Sequence, residues 1–425
     1  MKRKLVLCLL LLPSGLLAFA NPGRSHPIAG QPKPKQPFQA LEFNSIRMID
    51  RNNGWAQNAR VVWGTNDWVF NDKDIWTTTN GGKSWRQVLV ALPKKSGFVS
   101  AFFHDSKSAC VAATDDSTHV IVFRTTDGGT SWLRSQLRQS NLIVNSCLSF
   151  CGAEEGWLML IPDHGMNSSP GELYRPGDGG ATWRKINSTG ASPRRWIWED
   201  AALPEFDNRH DYLVCGGSIA FRNGSTGWVW GSLASTTPSF LFITRDGGLN
   251  WQVQRLSLPD SLPPGRIQPM GLPRFFEPDR KEGILPAAYY PTDNDPCTFG
   301  TVLYHTHDGG LNWRPTKPIH YSGIWDFTTI SKGWVWSSKA HDTGSTARVK
   351  GTLYRTEDGG VSWKPAGTKK GPEQYLTHGE DIVQLDFVDG ENGWAIARDP
   401  HNLTQLLHTK DGGETWSAIP TKVQP

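Results

Sequence analysis

The segment TTDGGTSW, at Thr125–Trp132, is one of seven copies of a short pattern in this 425-residue chain. The other copies are TTNGGKSW (Thr78–Trp85), PGDGGATW (Pro176–Trp183), TRDGGLNW (Thr244–Trp251), THDGGLNW (Thr306–Trp313), TEDGGVSW (Thr356–Trp363) and TKDGGETW (Thr409–Trp416). We call each copy a DGG turn. A pattern that recurs along the whole chain reveals its organisation more directly than composition does.

Each DGG turn is predicted to connect two β-strands. Its two glycines can adopt positive φ angles, and the acidic side chain before them accepts hydrogen bonds from nearby backbone N–H groups. The Trp opens the next strand with a large side chain to bury. We interpret the repeated residues as structural, and not as catalysts or calcium ligands, because a residue present in every unit serves the fold. These residues are Asn80, Asp127, Asp178, Asp246, Asp308, Asp358 and Asp411, with Trp85, Trp132, Trp183, Trp251, Trp313, Trp363 and Trp416.

A Gly-Trp pair, preceded by an alternating apolar segment, stands before most DGG turns, as at Trp157 and Trp394. One repeat therefore predicts four strands, A to D, with Gly-Trp in strand B and the DGG turn between C and D. The turn tryptophans are 47, 51, 68, 62, 50 and 53 residues apart, which is typical of propeller blades with two insertions.

The sequence thus predicts an all-β, seven-bladed β-propeller with four-stranded antiparallel blades over residues 42–420. Because the last blade has its own strand D, the ring is expected to close by packing of blade 1 against blade 7, without strand exchange. The approximate blades are 42–92, 97–139, 141–187, 212–257, 270–316, 320–367 and 378–420.

The DGG turn resembles the Asp-box, also called the bacterial neuraminidase repeat. Among Asp-box proteins the chain is most similar to the photosystem II stability/assembly factor family, whose members are exported seven-bladed propellers with a Gly-Trp in strand B. This resemblance implies a non-catalytic interaction or assembly factor. Sialidases carry an Arg-Ile-Pro motif before their first Asp-box, and residues 38–80 contain none. Repeat motifs specify fold far better than function.

The first 20 residues are typical of a secretory signal peptide. Three basic residues, Lys2 to Lys4, precede an apolar run, Leu5–Leu12, and small residues end at Ala20. We expect cleavage after Ala20 and a secreted or periplasmic protein; an uncleaved anchor is the alternative. Residues 21–41 form a flexible Pro-rich lead-in. Loss of the three basic residues lowers the formal charge from +4 to +1, which gives no support for binding to nucleic acid or to a membrane surface.

Long insertions are predicted only in the B–C and D–A loops, which share one face of a propeller, so we expect this face to bind partners. The B–C insertions are Gly64–Lys73, Ile161–Gly171, Pro291–Gly300 and Ser337–Lys350; the D–A insertions are Asn187–Asp211 and Leu258–Gly271.

One insertion, Ser192–Asp211, is rich in aromatic and charged residues. Exposed Trp beside Arg suits a protein hot spot or sugar stacking, although such tryptophans also often tuck against a neighbouring blade. Weaker candidates lie in two other loops of the same face. The candidate binding residues are Arg194, Arg195, Trp196, Trp198, Glu199 and Asp200, with Asp67, Trp68, His341 and Asp342.

No cofactor or metal site is predicted. Asp293-Asn294-Asp295 offers oxygen ligands for calcium but lacks the Gly and distal Glu of an EF-hand loop, so a solvated turn is favoured. Five cysteines follow the leader, so at least one has no partner within the chain. Cys147 and Cys151 fall in one predicted strand, about 13 Å apart, and could pair only across a tight turn.

Two functions follow from these patterns. The favoured hypothesis is a non-catalytic, extracytoplasmic protein-interaction or assembly factor whose partner is a protein, which could itself be associated with a membrane. The alternative is a secreted carbohydrate-active protein, either a glycoside hydrolase or a glycan binder. A hydrolase would show two carboxylates about 5–10 Å apart beside an aromatic platform at the propeller axis.

Overall fold

A computed structural model describes residues 43–58, 60–64, 67–71, 74–89, 99–114, 119–139, 143–152, 155–162, 171–188, 213–233, 239–291, 300–337, 351–376, 381–399 and 404–423. Seven antiparallel sheets of at least four strands follow one another in a ring, so the fold is a seven-bladed β-propeller, as predicted. Regular helix within these residues is limited to two 3₁₀ turns, Asp178–Gly180 and Pro372–Tyr375. No helix in this part of the chain is long and apolar enough to cross a membrane.

The first three blades contain fourteen strands, including an extra hairpin, β3–β4, between strands B and C of blade 1. Blade 1 comprises β1 (Phe43–Met48), β2 (Gly54–Asn58), β3 (Arg60–Gly64), β4 (Asp67–Asn71), β5 (Ile75–Thr78) and β6 (Ser84–Leu89). Blade 2 comprises β7 (Val99–Phe103), β8 (Ala109–Thr114), β9 (His119–Thr125) and β10 (Leu133–Arg138). Blade 3 comprises β11 (Ile143–Phe150), β12 (Gly156–Pro162), β13 (Glu172–Gly177) and β14 (Thr182–Ser188).

The last four blades end in outer strands of only two residues, and blade 5 has a divided strand A. Blade 4 comprises β15 (Leu213–Phe221), β16 (Gly227–Leu233), β17 (Ser239–Thr244) and β18 (Gln252–Val253). Blade 5 comprises β19 (Gly265–Pro269), β20 (Arg274–Phe275), β21 (Gly283–Pro291), β22 (Gly300–Thr306) and β23 (Arg314–Pro315). Blade 6 comprises β24 (Gly323–Phe327), β25 (Gly333–Ser337), β26 (Thr352–Thr356) and β27 (Lys364–Pro365), and blade 7 comprises β28 (Asp381–Phe387), β29 (Gly393–Arg398), β30 (Thr404–Thr409) and β31 (Ser417–Ala418).

The Gly-Trp pair joins neighbouring blades. In blade 3, a Cβ on Gly156 would lie 2.4 Å from the ring of Phe150 on strand A, so only glycine lets strand B approach that ring. The next residue, Trp157, stacks on Phe221 of blade 4 with ring centroids 3.6 Å apart. Its indole N–H also donates to the carbonyl of Gly247 in the DGG turn of blade 4. The same stacking joins Trp55 to Phe103 and Trp334 to Phe387, and a tilted ring contact joins Trp228 to Phe275.

The DGG turns form the hydrogen bonds that their sequence predicts. In blade 6, Thr356 Oγ1 donates to Asp358 Oδ1 at 2.8 Å, while the N–H of Ser362 donates to the same oxygen at 2.9 Å. Gly359 and Gly360 have φ angles of 72° and 88°, so side chains there would be strained. Burial works against the charged carboxylate, but these hydrogen bonds hold the pKa of Asp358 at about 2.

The A–B turn and the DGG turn of one blade lie at the same end of the sheet. The second-last residue of the A–B turn accepts a hydrogen bond from the first glycine of the DGG turn, as between Ser331 and Gly359. Equivalent bonds join Asn52 to Gly81, Lys107 to Gly128, Ser225 to Gly247, Lys281 to Gly309 and Glu391 to Gly412. Both turn types therefore occupy one face of the ring, which we call the DGG face.

The ring closes by packing and by one further strand. Met48 of blade 1 donates its backbone N–H to Asp386 of blade 7, as the packing prediction requires. The sequence analysis missed β32 (Lys422–Val423), which pairs in parallel with Ser84–Trp85 on the outer edge of blade 1. The Lys422 N–H donates to the Lys83 carbonyl.

An equivalent hydrogen bond is formed on the outer edge of blade 7. There the Lys370 N–H, in the connection from blade 6 to blade 7, donates to the Glu414 carbonyl at the equivalent turn position. The C-terminal strand therefore pairs with the outer edge of blade 1 in the same way as the connection from blade 6 pairs with the outer edge of blade 7.

Cys147 and Cys151 are not joined by a disulfide, and both remain thiols, as does Cys110. Strand β11 ends at Phe150, so Cys151 lies in the turn beyond it and not within the strand, as the sequence analysis had it. Burial raises the pKa of both Cys147 and Cys151 to about 12.

Replacing Asp358 by Ala removes the acceptor at the centre of one DGG turn. We expect Asp358→Ala to lower the free energy of unfolding by about 1–2 kcal/mol, because backbone and hydroxyl donors lose their partner. Asp358→Asn should cost less, since Asn80 already accepts from Ser84 N–H and Thr78 Oγ1 in blade 1. Since the folded pKa is lowered, the carboxylate's contribution is present above about pH 4 and is lost as the pH falls towards 2. Urea unfolding at pH 7 tests the ranking, and equal losses in both variants would contradict it.

Replacing Lys422 by Pro tests the closing strand. Proline has no N–H to donate to the Lys83 carbonyl, so Lys422→Pro should raise the unfolding rate several-fold, whereas Lys422→Ala, which keeps the donor, should not. Stopped-flow unfolding in denaturant measures both rates. A fast Lys422→Ala variant would show that the side chain matters and not the pairing.

Candidate functional site

The binding residues predicted from the sequence fall mostly outside the described residues. Residues 192–211, which include Arg194 to Asp200, and residues 338–350, which include His341 and Asp342, lie outside the described ranges, as does Asp293-Asn294-Asp295. Asp67 and Trp68 begin β4, whose backbone pairs with β3, but their side chains are not described. These sites therefore stay predictions.

The innermost strand of blade 5 is divided. Both β19 and β20 pair with β21, but Gly271–Pro273 between them leave the ladder. Pro273 cannot donate a ladder hydrogen bond, and Gly271 has a φ of 155°, which favours glycine. The predicted D–A insertion Leu258–Gly271 is thus partly wrong, because it includes the strand Gly265–Pro269.

This division leaves a cavity of about 320 Å³ between the inner strands of blades 5 and 6. Apolar groups line most of it, including Met270, Leu272 and Pro286 from blade 5 and Trp325 from blade 6. Met270 is 39% exposed, so an apolar side chain reaches solvent beside the cavity. A cavity of this volume with a mostly apolar lining and a few polar groups is typical of a ligand site.

Two charged side chains border the cavity, and they are paired with each other. Arg274 forms an ion pair with Asp326, whose other oxygen accepts from the backbone N–H of Phe387 at 2.5 Å. The Asp326 carboxylate is therefore occupied by the fold, while the Arg274 side chain stays about one-third exposed. The indole Nε1 of Trp325 has no hydrogen-bond acceptor, but it is fully buried and not open to a ligand in the cavity. The cavity therefore offers a ligand one partly exposed cation.

A second ion pair continues this arrangement around the axis. In blade 7, Asp386 accepts from the Met48 N–H at 2.5 Å and from the Arg47 guanidinium at 3.1 Å. Burial raises the pKa of Asp386 to about 6. The Arg47 guanidinium acts against this rise in pKa, and the nearby negative charge of Asp326 adds to it. Asp326 and Asp386 are each about 3% exposed, and both join blades. A glycosidase pair, by contrast, must reach its substrate.

The sequence analysis missed these four charged residues, although a signal for them exists. Each strand A ends in an aromatic or Met residue before the A–B turn, and in these four blades the residue just before it pairs with a neighbouring blade. In blades 5, 6, 7 and 1, the second-last residue of strand A is Arg274, Asp326, Asp386 and Arg47, respectively. Alignment of the repeats on strand A, and not on the DGG turn, shows these four charged residues at one position.

Comparison with known proteins supports the fold. No protein-family profile and no curated protein sequence matches this chain. A structure of YCF48 bound to D1 peptide is similar at 15% identity and a TM-score of 0.47, over 88% of this chain and 93% of that one. An oligogalacturonate lyase from Vibrio parahaemolyticus gives 7% identity and a TM-score of 0.53, over 88% and 90%. A prolyl endopeptidase gives 10% and 0.52 over 89% of this chain and 50% of its own. The two structures with TM-scores above 0.5 show a shared fold alone.

The Asp386→Asn variant should change how stability depends on pH. Because the folded pKa lies above its ordinary value, the stability linked to this proton is present below about pH 4 and is lost as the pH rises through 6. Relative to the variant, the wild type should lose about 1 kcal/mol between pH 5 and pH 7. Asn keeps an acceptor for the Met48 N–H. Urea midpoints at both pH values measure the difference, and parallel changes in the two proteins would contradict the assignment.

Proposed function

We propose that this chain is an extracytoplasmic, non-catalytic interaction factor that binds a segment of another protein in the cavity between blades 5 and 6. The observation that carries the proposal is the cavity itself, which exists because strand A of blade 5 is divided. Its apolar lining suits an apolar side chain of a partner, and the partly exposed Arg274 guanidinium suits a backbone carbonyl.

The electrostatics of the axis favour binding over hydrolysis. The two inner carboxylates of blades 6 and 7 are buried and bonded to backbone N–H groups and guanidinium groups of neighbouring blades. A general acid and a nucleophile need access to substrate, so this pair suits a structural role better. We therefore assign Asp326 and Asp386 to the ring and the cavity to the ligand.

The sequence supplies the remaining parts of the proposal. The signal-like leader supports a location outside the cytoplasm, and the Asp-box resemblance to photosystem II stability/assembly factors supports an assembly partner. The aromatic and basic composition of residues 192–211 supports a second contact with the same partner. A glycan is the less favoured ligand, because hydroxyl groups need many polar partners and the cavity offers one partly exposed cation.

A charged side chain at the cavity should prevent binding. We expect Met270→Glu to abolish recovery of the partner when tagged residues 21–425 are cross-linked and co-purified from the native envelope or secreted fraction. Met270 is 39% exposed, so the variant should fold, and circular dichroism checks this.

Leu133→Glu is the matched control, because Leu133 is 46% exposed on strand D of blade 2, away from the cavity. A protein recovered with wild type and Leu133→Glu but not with Met270→Glu supports the proposal. Equal recovery in all three would remove the cavity from it, and recovery of glycan in place of protein would overturn it.

A further inference from the structure

The chain itself shows how an extended segment binds to the outer edge of a blade. On blade 7, the Lys370 N–H donates to the Glu414 carbonyl at 3.2 Å, and the Trp416 N–H donates to the Lys370 carbonyl at 2.9 Å. On blade 1, β32 also runs parallel to the edge, and the Lys422 N–H donates to the Lys83 carbonyl. The carbonyl after the second DGG glycine and the N–H of the turn Trp therefore form an acceptor–donor pair for an added parallel strand.

Blade 2 presents the same acceptor–donor pair beside a long strand D. Strand β10 has six residues and pairs with β9 without a bulge. Within the described part of the chain, neither the Thr130 carbonyl nor the Trp132 N–H has a hydrogen-bond partner. Because outward N–H groups recur at every second residue of an edge strand, those of Arg134 and Gln136 also point away from β9. The edge of blade 2 can therefore pair with an added strand over its whole length.

The edges of blades 3 to 6 suit an added strand less well. Strand β14 of blade 3 pairs with a bulge, which breaks the alternation of outward N–H groups. In blade 4 the Leu249 carbonyl already accepts from the Asn187 side chain of blade 3 at 2.8 Å. Blades 4, 5 and 6 have strands D of two residues each. Blade 2 is therefore the blade whose edge best fits a full strand.

The outer hairpins, each made of strands C and D with the DGG turn, differ in charge around the ring. Those of blades 1 to 3 carry eight Lys and Arg against three Asp and Glu, with the DGG carboxylates included. Those of blades 4 to 7 carry five Lys and Arg against six Asp and Glu. The residues counted are 75–89, 119–138 and 172–188 in the first group, and 239–253, 300–315, 352–365 and 404–418 in the second. Only the first group has an excess of positive charge.

Two arginines bring this charge to the edge of blade 2. Arg134 lies on β10, is exposed and has no carboxylate partner within the described residues. Arg86 of blade 1 is exposed and donates to the Gly128 carbonyl at 3.4 Å, so its guanidinium lies beside the DGG turn of blade 2. The acid of that turn, Asp127, is bonded within it to the N–H and hydroxyl of Ser131. Like charges oppose pairing of this edge with the same edge of a second copy, whereas an acidic segment complements it.

We propose that β10 binds an extended acidic segment of a partner protein as an added parallel strand on blade 2. The Thr130 carbonyl and the N–H groups of Trp132, Arg134 and Gln136 bind the backbone of the segment, while Arg134 and Arg86 bind its carboxylates. The cavity between blades 5 and 6 shares no residue with this edge, so the inference does not rest on the proposed function.

The test of the charge is fluorescence anisotropy of a labelled peptide of about ten residues, in which glutamate alternates with threonine, titrated with the purified chain. The wild type should bind this peptide, and Arg134→Glu should bind it at least about tenfold more weakly. Arg314→Glu is the matched control, because Arg314 is an exposed arginine on strand D of blade 5. This control should stay within about twofold of the wild type.

The test of the backbone pairing separates strand addition from attraction of any polyanion. Gln136→Pro removes an outward N–H without a change of charge and should weaken binding severalfold, whereas Gln136→Ala keeps the N–H and should not. The same peptide N-methylated at alternate residues should bind the wild type severalfold more weakly, a result that does not depend on how the proline variant folds. No binding by the wild type, or equal losses in Arg134→Glu and Arg314→Glu, would overturn the proposal. Undiminished binding of the N-methylated peptide would overturn it as well.

Discussion

The propeller depends on one contact, the indole of strand B stacked on the aromatic ring of the next blade. A blade alone has two apolar faces and cannot bury either one. The Gly-Trp pair buries both faces. The glycine leaves room for the aromatic ring of its own strand A, and the Trp covers the aromatic ring of the next blade. Trp394 continues the pattern at the seam, where its N–H donates to the Gly81 carbonyl. Five of the seven blades carry this Trp, and contacts that pass from each blade to the next need a closed ring to satisfy the last blade.

Around the axis, ion pairs join blades 5, 6, 7 and 1 in addition to the ring stacking. Elsewhere the inner strands are joined by hydroxyl groups, as where Ser149 accepts from the Phe221 N–H and where Ser100 meets Ser146. Two Arg–Asp ion pairs join inner strands here: one links blades 5 and 6, and the other links blades 7 and 1. Each Asp also accepts a hydrogen bond from a backbone N–H of the following blade. A buried Asp that binds a backbone donor fixes the register of the adjoining strand, because a slip would leave both the charge and the donor unsatisfied.

Repetition made the architecture predictable. A pattern present seven times gave blade number, strand count and the position of the DGG face, and Asp127 or Trp251 could be assigned a structural role without coordinates. Features present once were not predictable in this way. The division of strand A at Gly271–Pro273 follows from local proline and glycine chemistry that resembles any loop, so the cavity beside it was missed. Asp326 and Asp386 were missed because the repeats were aligned on the wrong strand. The Arg194–Asp200 segment is not part of the repeated pattern, so its position cannot be derived from the repeat or from the fold.

The closing strand has a consequence for the order of folding. Asp386 and Met48 are 338 residues apart, and Lys422 lies as far from the edge of blade 1 that it covers. Blade 1 is therefore the first blade to be synthesised and the last to have its contacts completed. Until blade 7 is made, an inner N–H of blade 1 lacks its acceptor and the rings of blade 1 lack the covering Trp394. Until β32 follows, the outer Lys83 carbonyl lacks its donor. A chaperone or a membrane that shields this nascent blade would act during the whole time that the other six are made.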